Sequence, residues 1–344
     1  MALPFDTAAA DRAACRALLR DGSKSFHAAS KLLPSAVRDP AIALYAFCRE
    51  ADDVIDAGGG NLDWLRERLH LAYEGRPLAL PSDRAFAWVV DRFAIPRALP
   101  EALLEGFAWD AEGRRYADLA ALHAYAVRVA GTVGAMMAVL MGVRDRARLA
   151  AAVDLGVAMQ LSNIARDVGE DARNGRVYLP LDWLAEAGID SEAFLTAPVH
   201  SAALGAVVGR LLEAADQRYR AASAGITRLP LGCRLGIGAA RLLYAEIGEE
   251  VGRRAMDSVS GRAVVSGRRK ARVLAAGLPA MMLPLRRLAG ACVPEGVFLV
   301  DAVTRQSPRS ILVGPSLPWW AIADRLRWTL ELFERLERQE RVQS

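Results

Sequence analysis

One stretch decides how the fold is read: residues 160–171, QLSNIARDVGED, from Gln160 to Asp171. Its polar residues recur every three or four positions, so they fall on one face of an α-helix. They are Gln160, Asn163, Asp167 and Asp171, and an apolar stripe runs beside them at Val157, Leu161, Ile164 and Val168. Oxygen ligands one helical turn apart suit a hard divalent cation such as Mg2+. The stretch therefore predicts an amphipathic helix that carries a metal site.

A second acidic helix is predicted about a hundred residues earlier, over 41–56, with Pro40 in its first turn and glycines after its end. One face is apolar: Leu44, Phe47, Cys48, Ala51 and Ile55. The opposite face carries Arg49, Asp52, Asp53 and Asp56. Charges at this spacing usually form a solvated face. Here the aspartates repel one another, and Arg49 alone offsets them locally, so a bound cation explains the pattern better.

The composition is that of a globular protein without a nucleic-acid surface. The 344 residues are 53% hydrophobic and 24% charged, with a formal net charge of +4 and acidic and basic residues interspersed. Four scattered cysteines favour neither a zinc site nor a disulfide framework. The N-terminus does not resemble a signal peptide, and the uncharged run 129–143 is too short to cross a membrane. We expect a cytoplasmic protein, with contact to a membrane surface left open.

The periodicity predicts an all-α protein: a single large helical bundle with a central cavity, over residues 1–290, followed by a C-terminal extension, 291–344. Helices are predicted at 8–20, 41–56, 62–73, 82–93, 100–111, 119–143, 201–224, 231–256 and, in the extension, 318–342. The mixed charges of the last helix favour packing on protein over lying on a membrane or forming a subunit contact. The small residues Ala130, Gly131 and Gly134 either let a neighbouring helix approach or leave room for an apolar ligand, and close packing is favoured.

The polar segment at residues 22–27 allows two interpretations. The hydroxyls of Ser23 and Ser25 and the Lys24 amine suit an anion site at a helix start, but a plain N-cap is the simpler interpretation. By contrast, the Gly236-Ile237-Gly238 run is rejected as a nicotinamide loop, because Arg241 stands in place of the third glycine and no strand precedes it.

Asp52 with Asp56, and Asp167 with Asp171, form two aspartate pairs, each on one helix. If the pairs face each other, they would hold several Mg2+ ions. A diphosphate leaving group needs this kind of charge neutralisation. The carbon left behind is a carbocation, which requires a dry apolar cavity. A helical bundle with acids at its mouth and small apolar residues inside meets both needs. A P-loop enzyme is excluded, since the sequence has no GxxxxGK[ST] motif.

Five ordered blocks give the chain a resemblance to the squalene/phytoene synthase family of head-to-head prenyl synthases, and to its bacterial, phytoene-forming members in particular. They are Ser23–Phe26; Leu44–Arg49 running into Asp52–Asp56; Tyr125 with Val129–Gly134; Gln160–Asp171; and Gly175–Pro180. The resemblance covers roughly residues 15–275. The small departures are Ser162, where threonine is common, and Gly22, and neither touches a proposed ligand.

The resemblance implies an isoprenoid synthase bundle that joins two geranylgeranyl diphosphates through prephytoene diphosphate to phytoene, in carotenoid biosynthesis. It implies Mg2+, or Mn2+ in its place, and no NADPH. The metal ligands would be Asp52, Asp56, Asn163, Asp167 and Asp171. Diphosphate would be held by Ser23, Lys24, Ser25, Arg49, Gln160, Arg166 and Tyr244. The hydrocarbon tunnel would be lined by Phe26, Ala130, Val133 and Met137, with Tyr125 and Tyr178 near the reacting carbons; released diphosphate competes with Tyr125 as the proton acceptor.

Two alternatives remain. A squalene or dehydrosqualene synthase would act on the shorter farnesyl diphosphate, and the depth of the tunnel that decides this is not visible in a sequence. A non-catalytic assembly protein is disfavoured, because such a descendant should have lost its aspartates. Peripheral contact with the inner membrane is expected if the product is a lipid-soluble hydrocarbon, and the sequence leaves the oligomeric state open.

Overall fold

The computed structural model describes residues 8–55, 62–282 and 292–306. Within these ranges the chain is helical and contains no β-strand, so the predicted all-α class is confirmed. The helices are α1 Ala8–Gly22, α2 Lys24–Ser30, α3 Ser35–Val54, α4 Leu62–Tyr73, α5 Pro81–Phe93, α6 Ala98–Ala111, α7 Leu119–Ala126, α8 Thr132–Leu140, α9 Arg146–Arg173, α10 Leu181–Glu186, α11 Ser191–Thr196, α12 Ala202–Ile226, α13 Leu231–Arg253, α14 Gly267–Met282 and α15 Val297–Thr304. A π-helical segment, Val127–Gly131, joins α7 to α8, and a 3-10 turn, Pro294–Gly296, precedes α15.

The long helix α9 forms the centre of the bundle and contacts α7, α8, α12, α13, α15 and the π segment. Helix α12 runs antiparallel to it. At one end the Arg148 side chain donates to the carbonyl of Arg228, at 3.3 Å, and at the other end the Ser162 hydroxyl lies 3.0 Å from the Tyr219 hydroxyl. The predicted stretch 160–171 therefore lies in the second half of the central helix.

Glycines allow α9 to lie directly against the backbone of its neighbour. A Cβ atom on Gly156 would lie 2.2 Å from the carbonyl oxygen of Ala130, and one on Gly134 would lie 2.2 Å from that of Ala152. Real Cβ atoms do not approach so closely, because interiors are packed to crystal-like density. Close packing at 130–134 is thus observed, and Ala130 and Gly134 also line a cavity, so the two predicted alternatives do not exclude each other.

The helix that contains the π segment is unusually apolar. By length and composition, the span Leu119–Leu140 is the one helix among the described residues that could cross a membrane. In this fold 61% of the apolar 18-residue stretch within that span is buried inside the protein. The residues of the span pack on α6 and α9. The span is therefore a core helix of the bundle.

The prediction that Pro40 opens a helix is wrong, because α3 begins at Ser35 and Pro40 lies buried inside it. A proline at this position leaves the carbonyl of Ala36, four residues earlier, without its helical partner. Ala36 is exposed, so water can take that place, and the helix continues. The far end of the predicted helix, including Asp56, lies outside the described residues.

The beginning of the C-terminal extension packs on the bundle. The buried Asp154 of α9 accepts a hydrogen bond from the backbone N–H of Val293, at 3.1 Å. Burial raises the pKa of Asp154 to about 6, with this hydrogen bond and Arg218 opposing the rise. The predicted helix 318–342 lies outside the described residues, and the domain boundary near residue 290 stays a prediction.

Replacement of Gly156 by alanine should destabilise the protein, because the new methyl group would push α9 away from the Ala130 carbonyl. Overpacking of this kind costs about 1–3 kcal/mol, measurable as the free energy of unfolding in urea. The matched control is Gly209→Ala in α12, where the nearest atom is a flexible Met256 methyl at 3.8 Å. There the better helix propensity of alanine should leave stability equal or higher. Equal stabilities of the two variants would contradict the close contact.

Candidate functional site

A cavity of about 440 Å³ lies between α3, α6, the α7–α8 helix, α9, α12 and α13. Helix α9 contributes a continuous stripe to its wall: Arg148, Ala151, Ala152, Leu155, Gly156, Met159, Gln160 and Asn163. The α7–α8 helix contributes a second stripe: Tyr125, Val129, Ala130, Val133, Gly134, Met137 and Met141. Both stripes are apolar over most of their length, which makes the body of the cavity a hydrocarbon-like environment.

One end of the cavity is polar. Helix α3 supplies Arg49 and Asp52, α6 supplies Asp110, and α9 supplies Gln160 and Asn163. An Arg49 nitrogen lies 3.4 Å from a carboxylate oxygen of Asp52, so part of the charge is balanced within α3. The two stretches singled out in the sequence therefore meet at one end of the same cavity.

Tyr45 and Tyr244 connect the two polar stretches electrostatically. Burial raises the pKa of Tyr45, with Arg49 opposing the rise and Tyr244 adding to it. Burial likewise raises the pKa of Tyr244, and Arg166 of α9 opposes that rise. Tyr45, Tyr244 and Asn163 all line the cavity, so α3, α13 and α9 meet around one mouth.

Asp167 lies one turn beyond Asn163 and is bound by two arginines. Arg166 donates to it through Nε at 2.7 Å, and Arg262 does so at 2.9 Å. Arg262 belongs to the segment between α13 and α14 and is half exposed. The guanidinium groups balance the Asp167 charge and leave a strongly polar, cation-rich rim.

Asp171 occupies a more acidic environment. Burial raises its pKa to about 7; Asp167, Glu170 and Asp110 add to this rise, and Arg176 opposes it. A carboxylate placed beside others in a poorly solvated site is held in its charged form most readily by a cation. The position is therefore electrostatically suited to a positive ligand.

Asp110 organises a cluster of tyrosines below the mouth. It accepts hydrogen bonds from the hydroxyls of Tyr125, at 2.9 Å, and Tyr178, at 2.8 Å. The rings of these two tyrosines stack with centroids 5.2 Å apart, and Tyr116 packs 5.1 Å from Tyr125. Burial raises the pKa of all three phenols, and the Asp110 charge adds to the effect. All three are therefore neutral hydroxyls near pH 7.

The residues at the start of α2 divide between two roles. Phe26 lines the cavity and stacks on Tyr45, with centroids 5.5 Å apart. The Ser23 hydroxyl accepts a hydrogen bond from the backbone N–H of Phe26, at 3.2 Å, so it caps α2. The side chains of Lys24 and Ser25 lie outside the described part of the chain. The N-cap interpretation of Ser23 is confirmed, and anion binding here stays a prediction.

Most of the predicted site residues come together. The cavity wall includes Phe26, Arg49, Asp52, Tyr125, Ala130, Val133, Met137, Gln160, Asn163 and Tyr244. Close to its polar end, but outside the wall itself, are Arg166, Asp167, Asp171 and Tyr178. Their roles in binding and catalysis stay predictions.

The oxygen donors at the polar end suit Mg2+ chemically, although they do not converge on one point in space. Asp52, Asn163, Asp167 and Asp171 offer oxygen atoms, the ligands that Mg2+ prefers. Among the described residues, no three His, Cys, Asp or Glu side chains lie close enough together to hold a metal ion. Two of the carboxylates are paired with arginines instead: Asp52 with Arg49 and Asp167 with Arg166. The crowding of carboxylates around Asp171 is the observation that fits a divalent cation.

Asp110 and Arg262 were not identified from the sequence. The tyrosine partners of Asp110 lie 15 and 68 residues away, and Arg262 lies 95 residues from Asp167. No local periodicity connects such positions. The one available signal for Asp110 is a carboxylate near the end of an otherwise apolar helix, and that signal is weak.

Comparisons with known proteins agree with this geometry. The family model described as squalene/phytoene synthase matches residues 19–269. A phytoene synthase from Cereibacter sphaeroides is 51% identical, covering 88% of this chain and 90% of its own length. Another, from Rhodobacter capsulatus, is 52% identical, covering 87% and 92%. The crystal structure of a dehydrosqualene synthase in complex with ligand superposes with a TM-score of 0.73 at 30% identity, covering 81% of this chain and 98% of that one.

The fold and the site define an isoprenoid synthase bundle, in which a polar mouth opens onto a buried apolar cavity. Within this class, the chain belongs to the squalene/phytoene synthase family. The family resemblance seen in the five sequence blocks is confirmed.

Replacement of Tyr178 by phenylalanine should lower stability, because Asp110 loses one of its two tyrosine donors in a partly buried environment. A hydrogen bond to a charged group contributes about 1.5–3 kcal/mol, which urea unfolding can measure. Tyr116→Phe is the matched control: its buried hydroxyl has no hydrogen-bond partner among the described residues. That variant should be as stable as the parent protein or more so. A larger loss for Tyr116→Phe than for Tyr178→Phe would refute this account of the cluster.

Proposed function

We propose that the protein is a phytoene synthase, which condenses two geranylgeranyl diphosphates head to head, through prephytoene diphosphate, to phytoene and two diphosphates. The observation that carries the proposal is a single cavity with acids and arginines at one end and an apolar body. The phytoene synthases that match over most of their length support this reaction. The pathway it serves would be carotenoid biosynthesis.

The residues at the polar end would bind the diphosphate group. Arg49 and Arg166 carry forked guanidinium groups, which suit phosphate oxygens, and Tyr244 lies next to Arg166. Gln160 and Asn163 offer amide donors from the cavity wall. This arrangement would orient the substrate with its charged group at the mouth and its hydrocarbon chain along α9.

Asp52, Asp167 and Asp171, together with Asn163 and the predicted Asp56, would hold Mg2+, or Mn2+ in its place. When bound, the metal neutralises the diphosphate and makes it a better leaving group. The apolar stripes of α8 and α9 would exclude water from the allylic cation, which would otherwise be quenched to an alcohol. We expect no requirement for NADPH, since this condensation ends in proton loss and needs no reductant.

Tyr125 is better suited to positioning than to proton abstraction. Burial and the Asp110 carboxylate raise its pKa well above the ordinary value for a phenol. A phenol in this state remains protonated at neutral pH and serves as a hydrogen-bond donor, and its ring face can stabilise a nearby carbocation. The proton lost in the last step would then go to the released diphosphate.

The length of the cavity favours a C20 over a C15 substrate. Its α9 stripe runs from Asn163 to Arg148, a rise of about 22 Å at 1.5 Å per residue. A long apolar body of this kind gives a fourth isoprene unit room to bury its surface. Farnesyl diphosphate, the substrate of the alternative dehydrosqualene or squalene synthase function, would leave the far part unfilled.

The expected location is the cytoplasm, with peripheral contact to the inner membrane when product is released. The argument is chemical: the product is a C40 hydrocarbon that does not dissolve in water. No nucleic-acid partner is proposed.

Asp52→Asn should reduce phytoene formation by at least a hundredfold, because the mouth loses a charged oxygen ligand. Asp53→Asn is the matched control: Asp53 is the next residue, is half exposed and pairs with Arg49, but does not line the cavity. It should retain turnover within about threefold. Near-normal activity of Asp52→Asn would refute the proposed metal site.

The substrate is decided by incubating the purified protein with Mg2+ and either geranylgeranyl or farnesyl diphosphate, without NADPH. Phytoene from the C20 diphosphate is expected, identified by mass and absorption spectrum. Formation of a C30 product alone would overturn the substrate assignment in favour of the dehydrosqualene synthase function. Dependence of the C20 reaction on added Mg2+, lost with a chelator, tests the metal requirement.

A further inference from the structure

A charged residue lines the end of the cavity opposite the mouth. Of the described charged residues in the wall, Arg49, Asp52 and Asp110 lie at the polar mouth, and Arg148 lies at the other end of the α9 stripe. Met141, at the end of α8, and Leu229, just after α12, line the wall in the same region. The ends of three helices therefore meet around the Arg148 side chain.

Arg148 is held in place at this end. Its backbone N–H and its Nε both donate to the carboxylate of Asp145, the N-cap residue of α9. Its terminal nitrogen donates to the carbonyl of Arg228, at 3.3 Å. The side chain is 35% exposed and also lines the cavity, so it lies between the cavity wall and the surface. Because the guanidinium group is fixed by the Asp145 carboxylate and the Arg228 carbonyl, it forms a well-defined part of the cavity wall, which a flexible arginine would not.

The turn after α12 is fixed from its other side as well. Arg234 of α13 donates through Nε to the carbonyl of Leu229, at 2.8 Å. Leu229 itself is buried, while Leu231, two residues on, is 58% exposed. We therefore expect the turn to stay in place when Arg148 is replaced.

We propose that Arg148, braced between Asp145 and the Arg228 carbonyl, is the stop that sets the maximum length of prenyl chain the cavity accepts. The inference rests on the proposed function in one respect: the ligand is taken to be a prenyl diphosphate with its diphosphate at the mouth. A chain that fills the stripe from Asn163 to Arg148 ends against this side chain. A longer chain would have to displace a charged group from two hydrogen-bonding partners.

Arg148→Ala should therefore admit a C25 diphosphate that the parent protein discriminates against. We expect the ratio of kcat/KM for geranylfarnesyl diphosphate to that for geranylgeranyl diphosphate to rise at least tenfold, mainly through a lower KM for the longer substrate. Arg148→Met, which restores part of the volume without the hydrogen bonds, should give a smaller rise and guards against misfolding of the alanine variant.

Arg146→Ala is the matched control. It lies two residues away on α9, pairs with Asp301 and does not line the cavity. Its length preference should equal that of the parent protein. A ratio within twofold of the parent value in both Arg148 variants would overturn the proposal.

Binding of unreactive thiolodiphosphate analogues of both lengths, measured by calorimetry, separates this inference from the proposed function. If the parent protein makes no product from the C20 diphosphate with Mg2+, the proposed function fails. The stop at Arg148 still stands if the alanine variant binds the C25 analogue at least tenfold more tightly than the parent does. It falls if both proteins bind that analogue equally.

Discussion

Direct contact between two helix backbones is the constraint on which the rest of the structure depends. Gly156 and Gly134 each receive a carbonyl oxygen of the opposite helix where other residues carry a side chain. With α9 seated this closely against the α7–α8 helix, the neighbouring residues of both helices form one continuous wall. The body of the cavity is apolar because most residues of this wall are aliphatic side chains, glycines or methionines. A larger residue at either glycine would change the shape of the cavity and the stability of the bundle together.

Charge at the mouth is distributed so that each carboxylate has a different environment. Asp52 pairs with Arg49 within one helix, Asp167 is bound by Arg166 and Arg262, and Asp171 is surrounded by further acids. The proposed substrate, a diphosphate with its cations, would bring both signs of charge to this place. The arginines would then match its anionic oxygens, and the carboxylates its metal ions. Under the proposed function, the mouth would be complementary to this ionic complex and the apolar body to the hydrocarbon part.

Local periodicity predicted the helices and the polar line on α9 well, because both follow from residue spacing along one helix. Helix α4 coincides with its predicted range, 62–73. The prediction for Pro40 was wrong because proline is tolerated beyond the first helical turn when the carbonyl that loses its hydrogen bond, here that of Ala36, can reach water. Asp110 and Arg148 were missed for another reason: the tyrosine partner Tyr178 of Asp110 lies 68 residues away, and the Arg228 carbonyl that Arg148 contacts lies 80 residues away. Residues that act where several helices end are set by tertiary packing, and single-sequence patterns do not report it.

The π segment Val127–Gly131 has a geometric consequence for the cavity. Wall residues four apart drift round an α-helix, since one turn takes about 3.6 residues. Over the span from Tyr125 to Met141 that drift would turn one end of the stripe away from α9. The wider π turn absorbs an extra residue and offsets the drift. In evolutionary terms the segment behaves as a one-residue insertion. Deletion of one of its residues that does not line the cavity, such as Arg128, would rotate Tyr125 out of phase with the hydrocarbon wall while leaving every side chain of the wall present.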